Sequence, residues 1–152
     1  MVIVNPINTR FGLLIESGED KVFFEFSQLT FRQKSIITSM TTKLQNGEVT
    51  FNASLECFFT LKYALKDIKG FTLPNGEEYK LRFESGTDCL TDECVEELLA
   101  TPIEDKLLYS ATQILNGIPT TICNPVTGEE IEGVEVIPPV GLDEAKKKFS
   151  NQ

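Results

Sequence analysis

Between Phe58 and Pro102 three local patterns follow one another: an apolar helix (FFTLKYALKDIKG), a hairpin (FTLPNGEEYKLRFE) and a short acidic helix (TDECVEELLATP). The first of these constrains the fold most. Leu55, Cys57, Phe58, Phe59, Leu61, Ala64, Leu65 and Ile68 wrap most of one helical circumference, with Lys62, Lys66 and Lys69 as its wet strip. A helix so apolar is stable only when other elements cover it, so it belongs at the centre. Asn52 or Ser54 begins it, and it runs to about Lys69 with Gly70 just past its end. In the hairpin, Phe71–Leu73 and Tyr79–Glu84 flank Asn75-Gly76, a pair suited to positive φ. Tyr79, Leu81 and Phe83 alternate with Lys80, Arg82 and Glu84, which gives a buried face and a wet one. Thr91 caps the acidic helix, whose Val95, Leu98 and Leu99 point inward.

Phe11–Ile15 and Val22–Phe26 read as strands around the turn SGED. Thr30 and Gln33 have the spacing of a capping box. They open a helix over 31–44 with Ile36, Ile37, Met40 and Leu44 along one face, stopped by Gly47, and residues 48–51 form a short extended link. Thr101, Pro102 and Glu104 mark another helix start, followed by Ile103, Leu107, Leu108, Ala111, Ile114 and Leu115 at helical spacing and ended by Gly117 and Pro119. Beyond them, ICNPVTGEEIEGVEVIPP reads as a hairpin or an arm, Pro138-Pro139 as a stiff spacer, and LDEAKKKF as a last short helix or a frayed basic tip. The chain has 152 residues, 41% of them hydrophobic, enough for one core. The expectation is an α+β fold with central helices and short antiparallel hairpins over 1–119, and a C-terminal arm with a terminal helix over 120–152. The arm packs on its own domain or reaches a neighbouring copy, which would make a homo-oligomer.

There is no histidine. Ser-His-Asp and Cys-His machinery and His-ligated metals are therefore excluded. No Gly-rich phosphate cradle occurs. Cys57, Cys89, Cys94 and Cys123 do not have zinc-knuckle spacing, and the start of the chain does not resemble a signal peptide, so they read as reduced, small core residues. Asp92 with Glu96, and Glu93 with Glu97, stand four apart on a helix. Acid–base work needs a carboxyl raised in a cleft, and these read as solvated. No catalytic residue, metal or cofactor is assigned. No apolar run approaches the ~20 residues of a membrane helix, so a cytosolic protein is expected, or one acting in a host cytosol.

Charge is unevenly placed. Residues 1–76 carry eight Lys/Arg against seven Asp/Glu, while residues 77–152 carry six against sixteen. From Glu84 to Asp105 there are eight acids and no base. That surface repels phosphate backbones, which argues against nucleic-acid binding. It is a solvated face or a dock for a basic partner, with Asp92, Glu93, Glu96 and Glu97 as contacts; DNA mimicry is a third reading, against which the near-neutral first half of the chain counts. Phe11, Phe23, Phe31 and Ile122 are candidates for an exposed apolar patch, since the helical core has less claim on them.

The order of a β-hairpin, a helix entered through Phe26, Leu29 and Thr30–Lys34, the helix Leu61–Gly70, an Asn-Gly hairpin, the acidic helix Leu90–Leu99 and a closing segment Ile114–Pro119 resembles small accessory proteins of tailed bacteriophages, above all tail- and baseplate-assembly chaperones and their virion-associated relatives. The resemblance covers about residues 20–119. It implies a non-enzymatic factor that binds other virion proteins in the host cytoplasm or in the particle, and it carries over no catalytic residue. A phage protein that binds a host protein is a variant of this reading. A small enzyme working through carboxylates or a thiol such as Cys123 is the contrasting class, and a cleft lined by convergent polar groups would distinguish it.

Overall fold

Near-continuous runs of apolar side chains, buried on both faces, draw the first hairpin, β1 (Arg10–Ser17) with β2 (Asp20–Ser27). The chain continues through α1 (Phe31–Thr41), β3 (Thr42–Gln45), β4 (Glu48–Phe51), α2 (Ala53–Ala64) and β5 (Leu65–Lys69). It ends with α3 (Asp92–Leu99), α4 (Glu104–Leu115), β6 (Val134–Ile137) and α5 (Leu142–Ser150). This computed structural model describes residues 1, 2 and 9–150; residues 3–8 of the expected first unit, and Asn151 and Gln152 of the expected arm, lie outside the described residues. The fold is mixed α+β, as the sequence predicts.

β5, β2, β1 and β6 lie side by side in one antiparallel sheet, and β3 and β4 form a separate two-stranded ribbon. Successive strand residues face opposite ways. One sheet face therefore collects Phe11, Leu13, Ile15, Val22, Phe24 and Phe26, each at most 2% exposed. Phe26 stacks on Phe11 at 5.6 Å and on Phe24 at 6.2 Å between ring centres. α2 packs against α1, α3 and α4, and the buried residues of α2, α3 and α4 join that sheet face in one core.

The other sheet face is covered by α5. Phe23, Ile137 and Leu142 form a small second cluster, flanked by Leu14, Ala145 and Phe149. Glu25 lies on this face, 7% exposed, paired with Lys146 of α5 and at 3.1 Å with Arg10. Gly12 sits opposite Glu25, and a Cβ there would meet the Phe23 ring at 2.9 Å and Leu142 at 3.2 Å. The bare backbone is what lets the ring and α5 lie down. The segment expected as an arm thus contributes β6 to the sheet edge and α5 to its face.

Several local expectations shift. α1 stops at Thr41, and Leu44, expected on a buried helical face, lies in a strand and is 73% exposed. Met40 is also exposed, and of the four expected residues only Ile37 is fully buried. α2 begins as expected, with Asn52 Oδ1 accepting the Leu55 N–H at 3.0 Å, but ends at Ala64 because residues 65–69 pair with β2. The Lys strip is not wet: Lys62 is buried and bonded to Glu84 and Asp92, and the Lys66 side chain is 9% exposed. The hairpin at 71–84 is reduced to one bridge, Thr72↔Glu78, closed around Gly76. Thr101 does not cap α4; its hydroxyl donates to the Leu98 carbonyl of the helix before it, and Ile103 takes the N-cap position. The Thr30/Gln33 capping box is present, at 3.0 and 3.1 Å.

Candidate functional site

The ribbon is made by its turn. Gln45 and Glu48 are partners across Asn46-Gly47, which take φ of +52° and +79°. Positive φ at both central residues is the requirement of a type I′ turn, whose twist matches that of paired strands. The register then sets Leu44 opposite Val49 and Thr42 opposite Phe51, all on one face, while Lys43, Gln45, Glu48 and Thr50 take the other. Among the described residues nothing covers the apolar face. Leu44 is 73%, Val49 69% and Phe51 54% exposed, and Met40 at the end of α1 is 42% exposed. The three ribbon side chains leave roughly 300–400 Å² of apolar surface in water, the size at which a patch on a monomer is commonly an interaction site. The signal for this ribbon is in the sequence: TKLQ-NG-EVTF is an Asn-Gly pair between alternating apolar residues. Reading Gly47 as a helix stop conceals it.

The predicted contact residues fall in three groups. Phe31 is at the start of α1 and 86% exposed. Ile122, Phe11 and Phe23 are each 0% exposed, so their side chains belong to the interior and cannot form a surface patch. Phe11 faces the helices, Phe23 lies under α5 and Ile122 joins the main core. The acidic helix α3 divides as well. Asp92 accepts from Lys62 Nζ at 2.5 Å, and Glu97 accepts from the Tyr79 hydroxyl at 2.8 Å and from Arg82 at 2.7 Å. Glu93 and Glu96 are exposed. Glu97 therefore ties the irregular 71–90 segment to α3, Asp92 ties α3 to α2, and Glu93 and Glu96 face water.

The electrostatics follow this division. Burial pulls the Lys62 ammonium down, but hydrogen bonds to Asp92 and Glu84 outweigh it and hold its pKa above the ordinary value. The Tyr79 hydroxyl bond, then the Arg82 pair, depress Glu97. Burial, then contacts with Cys94 at 3.3 Å and Glu97, push Tyr79 up, so its phenol stays protonated. A proton-donating phenol held between a carboxylate and a buried thiol fastens the segment. Cys94 is 0% exposed. Burial, then the charges of Glu104 and Glu56, push Cys57 to about 12, far from a reactive thiolate. All four cysteines are free thiols, and Cys123 is held by Gln113, whose amide both donates to its carbonyl and accepts its N–H.

Several concavities among the described residues are open to solvent, and two of them lie beside the elements above. A groove of about 940 Å³ is lined by Leu73, Glu77, Glu78, Tyr79, Lys80, Arg82 and Glu97. A pocket of about 380 Å³ lies between α5 and the sheet, with Leu14, Ile137 and Phe149 on its walls and Lys21, Lys148, Glu135 and Glu144 around it. Among the described residues no group of three or more Cys, Asp or Glu is arranged to hold a metal ion, and no helix is long and apolar enough to cross a membrane. No family model matches this chain, and no curated protein or solved structure shows significant similarity to it.

Proposed function

We propose that this chain is a non-enzymatic protein-binding factor whose contact surface is the apolar face of the β3–β4 ribbon. The observation that carries the reading is the alignment of Leu44, Val49 and Phe51 on one uncovered face of a hairpin held by a two-residue turn. Such a face is costly in water, about 25 cal/mol for each Å² left uncovered, and a partner would recover that free energy. The resemblance of residues 20–119 to tailed-phage accessory proteins supplies the setting: tail or baseplate assembly, with other virion proteins as partners, in the host cytoplasm or the particle. A host protein as partner is the second reading, favoured by Glu93 and Glu96, which stand exposed on α3.

The test is co-purification from cells that make the protein and its partners. Leu44→Ser, Val49→Ser and Phe51→Ser combined should abolish partner recovery. Val126→Ser with Val140→Ser, at residues 90% and 91% exposed elsewhere on the surface, should leave it intact. Equal recovery with both sets would overturn the reading.

A further inference from the structure

The hydrogen-bond parity of the ribbon says more than its exposure does. The Asn52 N–H donates to the Thr41 carbonyl at 2.9 Å, which sets the parity of the ladder: 43/50 and 45/48 are its hydrogen-bonded pairs. In an antiparallel ladder the alternate pairs turn their N–H and C=O groups outward. These are Leu44/Val49 and Thr42/Phe51. On β3 the Thr42 N–H is already taken by the Thr38 carbonyl of α1. On β4, Val49 and Phe51 both present an N–H and a C=O to water, two residues apart, with exposed side chains on the apolar face. Edge strands are normally blunted by proline, a bulge or an inward charge. β4 has no proline and no bulge, and its register is regular.

We infer that the outer edge of β4 is a strand-addition site, which accepts an extended segment of another protein antiparallel to Val49–Phe51 with apolar side chains at alternate positions. This rests on the ribbon being the contact surface. Area decides against a second copy: two ribbon faces pressed together would bury roughly 700 Å², below the about 1,200 Å² of a stable pair. A single added strand needs less, because main-chain hydrogen bonds supply much of its affinity and the alternate side chains supply the selectivity. Charge narrows the segment further. Glu48 opens β4 at this edge, so the end of the segment that lies against it is neutral or basic.

Register makes the inference specific. Residues of the incoming strand that bond to Val49 and Phe51 share their face, so the apolar residues of the segment are the ones whose N–H groups point inward. The probe is a capped peptide, Lys-Val-Thr-Val-Thr-Val-Lys, added to isotope-labelled full-length protein while amide exchange is followed by NMR. With saturating peptide, the Val49 and Phe51 amides should exchange at least tenfold more slowly. N-methylation of the peptide's valines should abolish the effect, and N-methylation of its threonines should not. Val49→Pro removes an outward N–H but no ribbon bond, and should weaken the peptide at least tenfold while the Lys43 and Thr50 amides keep their protection. Unchanged exchange at Val49 and Phe51, or equal effects of the two N-methylated peptides, would overturn strand addition. If Val49→Pro binds normally while Val49→Ser and Phe51→Ser do not, docking is to the face and not the edge; the inference fails and the proposed contact surface survives.

Discussion

Leu44 and Val49 stand directly opposite each other on the β3–β4 ribbon, and both are more than two-thirds exposed. In a cross-strand pair of this kind the two side chains cover each other, but the rest of each is left to water. Their conversion to serine should therefore cost the fold little. Leu44→Ser and Val49→Ser should each change unfolding free energy by no more than about 0.5 kcal/mol, the range of surface changes. Urea denaturation checks this. A loss of several kcal/mol would mean that the ribbon face is already covered within the chain.

Gly12 should be far less tolerant. A Cβ at this site falls 2.9 Å from the Phe23 ring and 3.2 Å from Leu142. Gly12→Ala should lower stability by about 1–3 kcal/mol, the usual consequence of overfilling a packed site. Because the clash is with the α5 side of the sheet, the loss should shrink when Leu142 is also shortened to Ala, which a double-mutant cycle measures.

Glu56 links stability to pH. It is 3% exposed and its Oε1 has no hydrogen-bond partner among the described residues, and burial raises its pKa against a smaller opposing effect of a hydrogen bond with Thr112. A carboxyl whose folded pKa lies above its unfolded value of 4.5 imposes no penalty below that value. The penalty grows as pH rises towards the folded pKa and is constant above it. Glu56→Gln should accordingly raise the melting temperature at pH 7 and leave it nearly unchanged at pH 4. An equal change at both pH values would contradict the assignment.

The acidic helix should separate into two classes. Asp92→Lys sets a cation beside Lys62, and Glu97→Lys sets one beside Arg82 and removes the acceptor of Tyr79. Each should cost about 1–2 kcal/mol, limited because Asp92 and Glu97 are substantially solvated. Glu93→Lys with Glu96→Lys should fold as the parent does, so this pair tests partner docking cleanly. Thermal melts sort the three variants. Unchanged partner recovery by the Glu93/Glu96 pair at low salt would remove α3 from the contact surface.

The sequence makes the elements visible wherever local chemistry decides them. The Thr30/Gln33 box, the Asn52 and Thr91 caps and the inward residues of α3 and α4 all depend on neighbours within four positions. It misleads where a distant strand decides. Leu65–Lys69 continues a helical pattern, yet it becomes strand because β2 has an open edge to fill. The two Asn-Gly pairs make the same point. Asn75-Gly76, read as the hairpin, closes a loop with a single bridge. Asn46-Gly47, read as a helix end, makes the regular ribbon. That reading hides the exposed apolar face of the ribbon, since Leu44 fits a helical stripe as well as a strand face. The burial of Phe11, Phe23 and Ile122 was illegible for another reason: α5 and the segment after α4 pack back over the sheet and core, and nothing local announces it.

The most direct test of the account is site-specific photo-crosslinking in the cells that make this protein. A photoreactive residue is placed at Val49, at Leu44 or, for comparison, at Val126 and Val140, which are exposed singly elsewhere. Val49 and Leu44 should yield the same discrete crosslinked species, and Val126 and Val140 should yield none of it. A species that forms equally from all four positions, or only from the comparison sites, would contradict the ribbon as the surface through which this protein acts.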